Sequence, residues 1–154
     1  MNIDTVVNVI LQLANKKKLI VRPMKLQKLL WFAHGWYTVW NKDSELKGLI
    51  SHSFEAWPYG PVVSSVYHEF KHFRSNPIDD FMYRNNDEYY TSTNAQVKYV
   101  CGEVIRVYGE MTDIYLSGLT HNLNGAWWKA FSKGMGSVID QSDIFEEFSE
   151  KSSG

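Results

Sequence analysis

From Pro23 to Asn41 the chain places Leu26, Leu29, Leu30, Ala33, Trp36, Tyr37 and Trp40 at the spacing that lines up one face of an α-helix. Pro23 suits the first turn, where its fixed φ is helical and its missing N–H has no partner to lose. Alternation of apolar and polar residues is convincing in one place only, LISHSFEAW, which predicts a short strand over Leu49–Trp57. A chain with this balance of periods has to be built around helices.

The same period predicts a helix over Asp4–Lys17, where Val6, Val7, Ile10, Leu11 and Ala14 form the apolar face and the lysines suit the C-terminal end. After the turn WPYGP, Gly60-Pro61 opens a third helix through Phe73. A fourth fits Ala95–Tyr108, closed by Gly109, and Thr112 caps a fifth through Thr120. Ala126–Lys133 makes a short sixth, and Ser142 caps a last helix through about Ser149. Residues 75–93 are polar and turn-rich, with a short strand at Glu88–Thr91 able to pair with the first. The expected fold is mainly α: one compact domain over residues 1–150, about six to seven helices with a small antiparallel hairpin or two-stranded sheet, and a frayed tail at 151–154.

Composition excludes several function classes. A net charge of −1 gives no overall attraction to nucleic acid or membrane. Lys16, Lys17, Lys18, Arg22, Lys25 and Lys28 gather positive charge near the N-terminus, but no helix arrays Arg, Asn and Gln for reading bases. No apolar run is long enough to span a bilayer, and the N-terminal charge order is the reverse of a secretory signal. The lone Cys101 forbids an internal disulfide and suits a reducing cytoplasm, the expected location. No cofactor is expected.

One motif offers enzyme chemistry. His68, Glu69 and His72 form H-E-x-x-H, which can set two imidazoles on one helical face for zinc with the Glu as general base. On a helical wheel, however, Val62, Val63, Val66, Tyr67, Phe70 and Phe73 share one direction, and His68 and His72 point the opposite way, toward water. A zinc hydrolase also needs a third ligand, and His34, His52 and His121 stand in no such arrangement. The motif is read as an ordinary helix, with a zinc-dependent hydrolase kept as the alternative.

Three blocks, KLQKLLWFAHGW (Lys25–Trp36), FEAWPYGPVVSSVYHEFK (Phe54–Lys71) and LSGLTHNLNGAWWKA (Leu116–Ala130), together resemble the Panacea domain, the SocA-like family of phage-associated proteins and antitoxins. The resemblance implies a mainly helical, non-enzymatic domain that binds a cognate protein toxin directly and silences it. One relative acts instead as an adaptor handing its toxin to a protease, so a protease or chaperone is a further implied partner. The family helix reads V-Y-x-E-F-K, which supplies Glu69 without His68 or His72. After Thr120-His121 the family has an acidic residue and then Pro-Trp; here Leu123 stands for the acid and Ala126 for the proline, with Trp127 retained.

Candidate partner-binding residues are Lys25, Lys28, Trp31, Tyr59, Gly60, Pro61, Glu69, Thr120 and His121. Lys28 and Trp31 leave the apolar stripe of their helix, so Trp31 either packs under another element or belongs to a binding surface. Trp57 is expected to plug the core, and Tyr67, Phe70 and Trp127 to be structural. The turn Tyr59-Gly60-Pro61 either fixes the backbone or grips a partner. Thr120 and His121 suit hydrogen bonding at a helix end, since no nucleophile is matched to the imidazole.

Overall fold

The structure, a computed structural model, describes residues 2–41, 43, 47–79 and 94–153. Seven α-helices lie among them: α1 (Ile3–Lys16), α2 (Pro23–Trp40), α3 (Ser64–Phe70), α4 (Ala95–Tyr108), α5 (Asp113–Thr120), α6 (Ala126–Lys133) and α7 (Gln141–Ser153). The strands β1 (Glu55–Trp57) and β2 (Gly60–Val62) form an antiparallel hairpin with Trp57 opposite Gly60. The mainly helical expectation holds. The strand expected at Glu88–Thr91 lies outside the described residues.

Side chains that satisfy orphan N–H groups start most of the helices. Asn2, Asn94 and Thr112 each accept a backbone N–H in the first turn of α1, α4 and α5. Ser142 does not cap α7. Asp140 does, accepting both the backbone N–H and the hydroxyl of Ser142, and α7 runs on through Ser153, so residues 151–153 are helical rather than frayed. At α6 Gly125 has no side chain to offer, and the Glu147 carboxylate reaches across from α7 to accept the Ala126 N–H at 2.9 Å.

Packing is organised around α2. Helices α1, α3, α4, α5 and α7 and strand β2 all lean on it. Every residue from Lys25 to Gly35 is buried, so the helix has no outward face along that stretch. Gly35 permits the closest approach: a Cβ there would lie 2.2 Å from the Phe148 ring of α7. Trp31 meets Phe54 and Phe148 edge-on with ring centroids 5.2 and 5.9 Å apart, within the range of favourable aromatic pairs. His34, also buried, ties two segments to α2. Its Nδ1 accepts the N–H groups of Leu49 and Ile50, and Nε2 donates to Gln141 Oε1 at 2.7 Å. Burial lowers its pKa to about 4, so the ring is neutral at pH 7. Cys101 is fully buried, its thiol pushed up to about 12 by burial.

The strand predicted over Leu49–Trp57 is corrected to a hairpin centred on the WPYGP turn. Gly60, at φ +119°, takes a conformation closed to other residues and turns the chain back. Pro61 sits in β2, an edge strand with no ladder bond to lose. The other edge of β1 is covered by residues 136–139, through bonds from Ala56 N–H to the Ser137 carbonyl and from Ile139 N–H to the Phe54 carbonyl, both 2.8 Å. The third helix begins at Ser64, after the hairpin, and ends in a tighter turn over Lys71–Phe73. No described helix is long and apolar enough to cross a membrane.

Candidate functional site

The three sequence blocks meet at the β1–β2 turn. Lys28, from α2, extends its side chain under the hairpin, and its ammonium donates to the Pro61 carbonyl oxygen at 3.0 Å. One residue earlier, Gln27 clamps the start of α3: its amide donates to the Val63 carbonyl at 3.2 Å and accepts the Val63 N–H at 2.9 Å. Ser117 and Thr120 approach from α5. The Ser117 hydroxyl donates to the Tyr59 carbonyl, and the Thr120 hydroxyl donates to the Ser117 carbonyl at 2.6 Å. A Cβ at residue 60 would lie 2.6 Å from Thr120 Oγ1 and 2.9 Å from Lys28 Cε, so Gly60 serves this junction as much as the turn.

Next to the junction lies a groove of about 390 Å³. Trp57, Pro58 and Tyr59 of the hairpin, Val66, Tyr67 and Phe70 of α3, Met24, Gln27 and Lys28 of α2, and Lys71 and Arg74 after α3 line it. Trp57 and Tyr67 meet edge-on at 4.8 Å, and the Trp57 indole donates to Glu55 Oε1 at 3.0 Å. Behind the hairpin, the Trp127 indole donates to the Trp57 carbonyl at 2.8 Å, while its ring stacks between His121 at 3.9 Å and Phe131 at 4.7 Å. These contacts hold the hairpin from behind and leave its groove side open, with Tyr59 68% exposed.

Lys28 dominates the electrostatics. It is 1% exposed, and burial lowers its pKa to about 7 against the pull of Asp113. Its charged and neutral forms are therefore close in energy at neutral pH, a property that clusters at functional positions. Lys25 is also buried and lowered, first by burial and against Asp113. It lines a separate surface depression with Asp113 and Glu110. The His121 imidazole is exposed, and its pKa is lowered by partial burial and then by the Lys28 charge.

Several expected placements are corrected. Lys28 does not face outward: the apolar stripe of α2 is only one of its packed sides, and elements close over the rest, so that of the two readings of Trp31 the one that packs it under another element holds. Trp31, at 0% exposure, is a core residue beneath Phe54 and Phe148. Trp57, expected in the core, is half-buried, and Tyr67 is 38% exposed on the groove wall. Phe70 and Trp127 are buried. Glu69 is exposed and borders a different depression, with Asn2, Asp4, Ser51 and His52. His68 and His72 are exposed, their rings beside Tyr67 and Phe73, and no three His, Cys, Asp or Glu among the described residues are grouped to hold a metal ion.

Met24, Gln27, Lys71 and Arg74 also line the groove and Ser117 binds the turn, and none of them stood out in the sequence. Gln27 carried a usable signal, since a Gln-Lys pair between Leu26 and Leu29 is costly in a buried helix unless each polar head has a dedicated acceptor. A family model described as Antitoxin SocA-like, Panacea domain, matches residues 26–128, a span that includes the hairpin, Lys28 and most of the groove lining. No curated protein and no solved structure gives a significant match.

Proposed function

This chain belongs to the SocA-like antitoxin, Panacea-domain family, and from that premise we propose that it neutralises a cognate protein toxin in the cytoplasm by binding it directly through the face that carries the hairpin groove. The observation that carries the reading is convergence. Three blocks far apart in sequence supply the hairpin, the helix floor beneath it and the α5–α6 support behind it, and the family match spans all three. Interfaces concentrate binding energy in Trp, Tyr and Arg side chains around a well-packed centre, and Trp57, Tyr59, Tyr67 and Arg74 supply that set here.

The test is co-expression with the product of the neighbouring gene. Wild-type chain should restore growth and co-purify with that product at a fixed ratio. Rescue that disappears in a protease-deficient host would assign delivery to a protease in place of occlusion. Rescue with no complex at all would sink the binding mechanism.

A further inference from the structure

Resting on that neutralisation reading, we infer that the groove beside the hairpin accepts an extended segment of the toxin that carries bulky apolar side chains and Asp or Glu carboxylates, one of which takes the Lys28 ammonium as its partner. The walls are Trp57, Tyr59, Tyr67 and Phe70, which suit an apolar side chain. The lining is one-sided in charge: it includes Lys28, Lys71 and Arg74 and no acidic residue among the described residues. Lys28 is the specific element. A fully buried ammonium carries three N–H donors, and the Pro61 carbonyl engages one of them. Lys28 is among the residues that line the groove, and a carboxylate that reached its ammonium there would gain a charge-assisted bond in surroundings that screen it little.

An uncharged partner would leave that ammonium buried and underused, and a neutral apolar pocket would need no lysine. The lining carries three cations, Lys28 from α2 and Lys71 and Arg74 from the turn after α3. A segment with more than one carboxylate can answer more than one of them, which a lone chain terminus cannot do.

Two measurements test this. In the first, full-length protein labelled for NMR is titrated with the capped peptide acetyl-Glu-Leu-Glu-Phe-amide and with its Gln-for-Glu counterpart. The acidic peptide should shift the signals of Tyr59, Tyr67 and the Lys28 side chain and bind at least fivefold more tightly, and Lys28→Met should erase the difference. Equal binding of both peptides, shifts confined to another face, or the same shifts from inorganic phosphate alone would overturn the inference. In the second, toxin capture is compared for wild type, Lys28→Met and Tyr67→Ala, the last a partly exposed position where folding is not at stake. Both variants should lose at least tenfold in affinity. Undiminished capture by both would refute the groove while leaving neutralisation intact, whereas a wild-type protein that captures no toxin would refute the neutralisation reading and leave the peptide titration to judge the groove.

Discussion

Replacing Lys28 by methionine should make the protein more stable, and by an amount that depends on pH in a calculable way. A lysine whose folded-state pKa is about 7 instead of 10.5 pays for burial whenever it is protonated. The shift corresponds to about 5 kcal/mol at pH values well below 7. The unfolded chain binds the extra proton between pH 7 and 10.5, so wild-type stability contributed by this group rises with pH across that window and the penalty is complete only beneath it. Methionine fills nearly the same volume without the charge, losing the bond to the Pro61 carbonyl, worth about 1.5–3 kcal/mol for a charged donor. The expected outcome is a gain of about 2 kcal/mol at pH 6 that turns into a loss of about 1 kcal/mol at pH 9, where much of the wild-type penalty has already lapsed. Urea denaturation of both proteins at the two pH values measures it, and alkaline effects common to both cancel in the difference. A methionine variant that is less stable at pH 6, or a difference that does not move with pH, would refute the argument that burial governs Lys28. A variant that is more stable yet fails to neutralise toxin would fit a residue retained for function at a cost in stability.

Trp31→Ala should cost about 3–5 kcal/mol, as for an emptied aromatic site in a core, while Trp57→Ala should cost about 2 kcal/mol or less because the residue is only partly buried and its carbonyl bond to Trp127 survives; calorimetric melting would order the two, and the reverse order would contradict the assigned burial. His34, held neutral with a pKa near 4, should withdraw about 3 kcal/mol of stability as pH falls from 6.5 to 4, since only the unfolded chain takes up the proton in that window; His34→Gln should flatten the acid limb of a stability–pH curve, and an unchanged limb would count against it. Gly60→Ala should cost about 2–3 kcal/mol through backbone strain and the crowding against Thr120 and Lys28, and should weaken toxin capture as well; an alanine variant as stable as wild type would show that the turn relaxes. The double variant His68→Ala, His72→Ala should keep wild-type metal content, melting temperature and neutralisation, and loss of stoichiometric zinc in that variant would revive the hydrolase alternative.

Helix ends were the legible part of this sequence because their signals are local. Pro23 starts α2, Thr112 caps α5, and Gly109 follows α4, each acting within one turn of itself. What surrounds a helix is not local, and there the sequence misled. The apolar stripe of α2 suggested a two-sided helix, yet five other helices and a strand close around it, so Lys28 became an interior residue and Trp31 took the packed one of its two readings. The hairpin was misread for a related reason: alternation over Leu49–Trp57 resembles a strand, but only Glu55–Trp57 finds a partner, and that partner exists because Gly60 reverses the chain. Lys28, Gly60, Pro61 and Thr120 were all named from sequence and all meet at one junction. Val66, Tyr67 and Phe70 were read as core or structural because an apolar residue carries the same signature whether it faces a core or lines a cleft. Ala126 is a smaller case of the same kind. Where the resemblance has proline, this chain offers an N–H, and the Glu147 carboxylate arriving from α7 takes it.

The placement of α2 has a consequence for how the chain is made. Its burial needs α7: Phe148 rests on Gly35 and covers Trp31, and Gln141 binds a histidine 107 positions earlier in the chain. During synthesis, α2 emerges from the ribosome long before the helix that completes its packing. Until residues up to Phe148 are free of the exit tunnel, Trp31 and Phe32 lack part of their cover, and contacts of such sequence separation close slowly. The nascent chain therefore passes through a stage in which its central helix still lacks the cover that α7 provides.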